Sequence, residues 1–225
     1  MQKHLCLVLF VCAGGASAAD TGLGLAEVVW EHPLADRFSF SSEHGTWNRA
    51  ERVAVEFRLP TDDGESVSPW GGLHIGGDTR SGTLDKHSDG SGGGEVDANA
   101  LVLALTGGGR FHLFSRMERE NFDPAFSLFG RAGVGFQEGQ IGGYQTAQGT
   151  ASGDLSPIRY EFALGTAFEL ALGKKMLLSA GLGVTWMFAN QATLIRVDNG
   201  QSSVAVSATY AGVEGFTRLG LGIRF

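Results

Sequence analysis

The chain has 225 residues with 35 glycines, five prolines, 10% aromatic residues and a formal net charge of −7, at a mean hydropathy near zero. This composition excludes a disordered or collagen-like chain and fits many short strands that approach one another closely. The acidic balance argues against nucleic acid as a partner, because phosphate binding needs a surplus of Lys and Arg on one face.

Met1 to His4 carry positive charge and lead into an apolar run, Leu5 to Val11, followed by small residues from Ala13 to Ala19. That order predicts a secretory signal peptide over 1–19, cleaved after Ser17-Ala18-Ala19, with a single domain over 20–225. Both cysteines, Cys6 and Cys12, lie in the removed part, so no disulfide is expected in the exported chain. No stretch approaches the roughly 20 apolar residues that a transmembrane helix needs.

From there the dominant period is two, the signature of strands whose faces meet different surroundings. Leu23 to Trp30 is a weak first strand. In the second, Val53, Val55, Phe57 and Leu59 alternate with Arg52, Ala54, Glu56 and Arg58. Trp70 to Gly77 is a third, and Leu101 to Leu113 a fourth, with Arg110 and His112 on its polar face and Gly107 to Gly109 as an interruption. Phe126 to Phe136 sets apolar residues against Ser127, Phe129 and Arg131; Tyr160 to Leu172 sets them against Arg159, Glu161 and Glu169. Met176 to Phe188 follows after the tight turn Gly173-Lys174-Lys175. In the last strand Leu219, Leu221, Ile223 and Phe225 oppose Arg218, Gly220, Gly222 and Arg224.

Connections alternate between short ones (60–69, 115–124, 173–175) and long ones (32–50, 78–97, 137–157, 189–213). Sorting of this kind belongs to outer-membrane barrels, which keep short turns on the periplasmic side and long loops outside. Within the last long connection, Thr193 to Val197 and Ser203 to Val206 flank Asp198-Asn199-Gly200, which predicts a projecting hairpin. The Gly/Ser-rich centre of 78–97 predicts a mobile loop. Asp85 to Gly90 resembles the start of a calcium loop, with Gly90 sixth, but its third position is His87 and its twelfth is Val96, so the closing carboxylate is missing and no metal is expected.

The signal peptide, the alternating strands and the final Leu219-Gly-Leu-Gly-Ile-Arg-Phe225 together resemble the small bacterial outer-membrane barrels, the group of the opacity proteins, the OmpA membrane domain and OmpX. The resemblance implies an all-β fold, a closed antiparallel transmembrane barrel of eight strands. Ten is the alternative, because Arg37 to Phe40 could add a strand after a turn at Glu31 to Leu34. It also implies that the barrel-assembly machinery reads Leu219, Leu221, Ile223 and Phe225, and that outer-membrane lipid and lipopolysaccharide surround the wall.

Alternation turns Arg52, Glu56, Arg58, Arg110, His112, Arg131, Arg159, Glu161, Glu169, Glu214, Arg218 and Arg224 inward, where they can pair as a packed polar network. Inward glycines (Gly133, Gly135, Gly165, Gly181, Gly183, Gly220, Gly222) leave room either for water or for arginine side chains. Trp186, Phe188 and Tyr160 suit an interfacial aromatic girdle, with Trp70 on its periplasmic side. His112 has no serine two positions away, and Ser127 and His74 face inward, so lipid A chemistry at the outer wall lacks its groups. The expected function is non-enzymatic and without cofactor: a structural or surface-recognition role through the loops, with host or matrix ligands as partners. A narrow porin-like channel is the alternative, and a lipid A-modifying enzyme a third reading.

Overall fold

The computed structural model describes residues 24–34, 37–40, 43–60, 66–115, 122–146, 149–155, 157–188, 193–198, 203–208 and 211–225. The predicted signal peptide and the Asn199-Gly200 turn lie outside them.

Among the described residues twelve strands form one sheet, and eight of them close it. The wall consists of β1 (Leu25–Pro33), β3 (Glu43–Pro60), β4 (Val67–Leu84), β5 (Glu95–His112), β6 (Phe122–Thr146), β8 (Ile158–Leu172), β9 (Met176–Phe188) and β12 (Ala211–Arg224). Each pairs antiparallel with the next, and β12 returns to β1 over the register Leu25↔Arg224 to Pro33↔Phe216. The lower end is the one at which β1 begins and β12 ends.

The four remaining strands sit at the upper end. β2 (Arg37–Phe40) pairs only with the first residues of β3, so the segment that suggested ten strands adds none to the wall. β7 (Gly149–Asp154) folds back on the top of β6, then carries β10 (Thr193–Asp198), which carries β11 (Ser203–Ala208). The predicted hairpin is therefore the outer half of a sheet extension rather than a free projection.

β3, β4 and β5 each have 18 residues, and β6 has 25. At about 3.3 Å per residue, 18 residues reach about 60 Å along the strand, or about 45 Å of height at the roughly 40° tilt of such barrels, against an apolar band of roughly 25 Å. The wall consequently extends beyond the apolar band. Strand continues through much of 78–97 and 137–157, where long loops were expected, because both faces of those segments find a use. Gly107 to Gly109 likewise do not interrupt β5: they pair with Gly71, Trp70 and Pro69 of β4. A Cβ on Gly108 would lie 2.0 Å from the Leu128 carbonyl oxygen, so glycine there allows a close approach of β5 to β6.

The outer face changes character at one height across β3 to β6. Val53, Leu101 and Phe136 are exposed at the top of an apolar belt that includes Leu103, Leu105, Leu164 and Leu182. One step up on the same outward face come half-buried Glu51 and exposed Thr79, Asn99 and Glu138, which lie opposite one another in register. The inner face inverts in the opposite sense. Behind the belt it is charged; above it, Trp47, Ala50, Leu84, Val96, Ala98, Ile141, Ala151, Leu155 and Met187 form an apolar core. A wall that is apolar outside and charged inside suits hydrocarbon, and one that is polar outside and apolar inside suits water.

Candidate functional site

The bore behind the belt holds two tiers of ion pairs. In the lower tier Arg218 reaches Glu27 at 3.0 Å and Glu56 at 2.8 Å, and Arg58 contacts Glu27, Glu56 and, at 2.6 Å, Glu169. In the upper tier Arg52 bonds Asp78 at 3.1 Å and Glu161 at 2.9 Å, Arg131 bonds Glu31 at 2.8 Å, and Arg80 bonds both Asp78 and Glu214. Arg159 pairs with Asp78 as well. His74 joins the tiers: its Nδ1 lies 3.1 Å from Glu56, and its ring faces the Arg131 guanidinium.

Aromatic faces complete the arginine environments. Arg58 lies 4.5 Å from the centroid of Trp70, Arg218 4.7 Å from that of Phe129, Arg80 5.6 Å from that of Trp47, and Arg131 5.8 Å from that of Phe216. Planar guanidinium can bind carboxylates at its edge and a ring at its face at once, which explains why arginine serves here and lysine does not. Trp70 is thus buried inside the barrel, and the periplasmic girdle position expected for it is corrected. Trp186, Phe188 and Tyr160 do face outward.

The inward glycines make room for side chains. A Cβ on Gly135 would meet the Arg159 side chain at 2.9 Å, one on Gly165 the Phe129 ring at 2.4 Å, and one on Gly183 the Phe216 ring at 2.5 Å. A void beside the upper tier, lined by Glu31, Arg52, Arg80, Thr185, Glu214 and Phe216 among others, is about 10 Å³. That is the space of about one water molecule.

Of the twelve residues read as an inward network, Arg52, Glu56, Arg58, Arg131, Arg159, Glu161, Glu169, Glu214 and Arg218 lie in the two tiers, buried. Arg110, His112 and Arg224 lie below them at the lower mouth, gathered on Asp123. Sequence reasoning missed Glu27, Glu31, Asp78, Arg80 and Asp123. Glu27 and Glu31 alternate with outward Val28 and Trp30 on β1, a legible signal once β1 is extended to Pro33. Asp78 and Arg80 fall in the segment whose sequence predicts a loop, although their parity continues that of His74.

The lower mouth holds an arrangement that the sequence did not suggest. Ser68 Oγ lies 2.8 Å from His112 Nε2, and His112 Nδ1 lies 3.0 Å from Asp123 Oδ1. The serine that His112 was expected to lack comes from β4. Ser68 is level with Arg110 and Asp123 lies two residues from Ala125, the partner of His112, so the three are diagonal neighbours on consecutive strands. Arg110 contacts Asp123 at 2.8 Å and Glu169 at 3.0 Å, tying this cluster to the lower tier.

Leu219, Leu221 and Ile223 are exposed on the outer face of β12, as is Phe225 just beyond its end, and the Phe225 N–H donates to the Gly24 carbonyl at 2.8 Å.

The sequence matches no protein-family model and no curated protein. Among solved structures, the outer membrane protein OprG from Pseudomonas aeruginosa superposes with a TM-score of 0.52 at 15% identity, covering 91% of this chain and 97% of that one. The chain folds as a small outer-membrane β-barrel. More distant likenesses are a major outer membrane protein from Thermus thermophilus (TM-score 0.45, 14% identity, 90% of this chain and 99% of that one) and the attachment invasion locus protein Ail of Yersinia pestis (0.41, 12%, 92% and 100%).

Proposed function

We propose that the protein is a sealed outer-membrane barrel that serves as a rigid mount for a recognition surface outside the cell. The observation that carries this reading is the filled bore: two tiers of ion pairs, a void of about 10 Å³ beside the upper one and an apolar core above them. A conducting pore needs a continuous water path between charged walls, and here each arginine of the two tiers is spent on carboxylates, four of them on an aromatic ring as well.

The recognition surface is the extension from β6 through β7 and β10 to β11. Among the described strands β11 pairs only with β10, which leaves its second edge for strand addition by an extended segment of a host or matrix protein. With the lower mouth in the periplasm, as barrel topology requires, the extension is external. The belt is bathed by outer-membrane lipid and lipopolysaccharide, and the exposed Leu219, Leu221, Ile223 and Phe225 serve as the strand read by the assembly machinery. Lipid A chemistry has little support, since His74 and His112 both lie inside the wall.

The test is single-channel recording on refolded protein whose closure is verified by a heat-modifiable gel shift. A folded band without current steps is expected, and steady current from folded protein would overturn the sealed reading. Deleting 191–206 should abolish binding to matrix ligands while the gel shift persists; binding that survives would remove the extension from the proposal.

A further inference from the structure

We propose that Ser68, His112 and Asp123 form a nucleophilic acyl-ester hydrolase site at the periplasmic mouth, separate from the external surface. Three side chains from three strands meet in the order that activates a hydroxyl. A carboxylate only accepts hydrogen bonds, so the 3.0 Å contact from Asp123 Oδ1 fixes the proton on His112 Nδ1. The lone pair of Nε2 is then turned to the Ser68 hydroxyl 2.8 Å away. Arg110 holds the other Asp123 oxygen at 2.8 Å, and the Asp123 and His112 side chains are 5% and 3% exposed, so the base is fixed in orientation and shielded from water.

Ser68 is the second residue of β4, at the rim, and its neighbour Val67 and the cross-strand partner Phe111 are exposed on the outer side. An acyl chain can lie against that apolar rim while its ester reaches the mouth. The substrate class is therefore an acyl ester, supplied either by inner-leaflet phospholipid or as a soluble periplasmic ester.

The chemistry balances with water as the only co-reactant. Ser68 Oγ adds to the ester carbonyl as its proton passes to His112 Nε2. The C–O bond to the leaving alcohol breaks and the alcohol takes that proton from the imidazolium, which Asp123 stabilises. Water then adds to the acyl-serine, giving its proton through His112 to Ser68 Oγ and releasing the carboxylic acid.

The experiment uses the full folded barrel in detergent and in vesicles. A fluorophosphonate probe should label wild type on Ser68, located by peptide mass mapping, and should fail to label Ser68→Ala, which removes one hydroxyl and keeps the gel shift. His112→Gln should lower the labelling rate at least 100-fold; should it fail to fold, Asp123→Asn, which preserves shape, is expected to lower the rate at least 10-fold. Hydrolysis of a short-chain nitrophenyl ester identifies a soluble substrate, and fatty acid release from phosphatidylethanolamine vesicles identifies the lipid. Folded wild type that takes no label and releases product no faster than Ser68→Ala in either arm overturns the proposal, as does a label on any other serine.

Discussion

At the residue scale the barrel depends on arginines that have no substitute. Arg218 is 1% exposed and holds Glu27 and Glu56 together over the Phe129 ring. Arg218→Ala leaves two buried carboxylates short of a cation, and breaking a buried pair in this way costs about 3–5 kcal/mol. Urea unfolding in vesicles should show that loss, and a change under 1 kcal/mol would mean that water enters the bore freely. Replacing Arg218 and Glu56 together by apolar residues should cost less than Arg218→Ala alone, because one cation and one anion go together and Glu27 keeps Arg58. Gly183 belongs to the same scale. A Cβ there would stand 2.5 Å from the Phe216 ring and 2.6 Å from the Leu164 carbonyl, and Gly183→Val should destabilise by about 1–3 kcal/mol through overpacking. The pairing partners were not legible in the chain. Alternation says that Arg52 points inward, but its bond to Glu161, 109 residues away, depends on where β8 arrives across the bore.

At the element scale, one strand face passes through two solvents. Outward on β5 are Glu95, Asp97 and Asn99, then Leu101, Leu103 and Leu105. Leu103→Arg should cost about 2–4 kcal/mol and impair assembly, as arginine does on a lipid-facing wall. Asp97→Arg, on the same face, should stay within about 0.5 kcal/mol of wild type. Equal costs at the two positions would remove the membrane boundary placed between Asn99 and Leu101. Strand existence and facing were legible for most of the wall, because period two persists through both solvents. Strand length was not: Asp78 and Arg80, with glycines just before Asp78 and after Arg80, read as loop. Their place in β4 follows from ladder bonds to both β3 and β5.

At the scale of the whole molecule, the charged tiers lie below the upper apolar core, and the proposed sealed bore makes them two barriers in series. Ile141 is fully buried in the upper core. Ile141→Ala should destabilise by about 2–5 kcal/mol, the cost of a core cavity, yet planar bilayers should still show no current, because the ion pairs below are untouched. Current from that variant would make the apolar core the sole barrier. The sequence by itself determined the all-β class, the inward and outward faces, the closed barrel and the candidate inner charges, since each follows from local alternation and from the need to pair every backbone amide in hydrocarbon. Only the tertiary structure decided that eight strands close the wall, that Trp70 lies under Arg58, that inward glycines hold side chains, and that Ser68, His112 and Asp123 meet. Those outcomes depend on register and on distances across the bore, which closure sets and which no local pattern encodes.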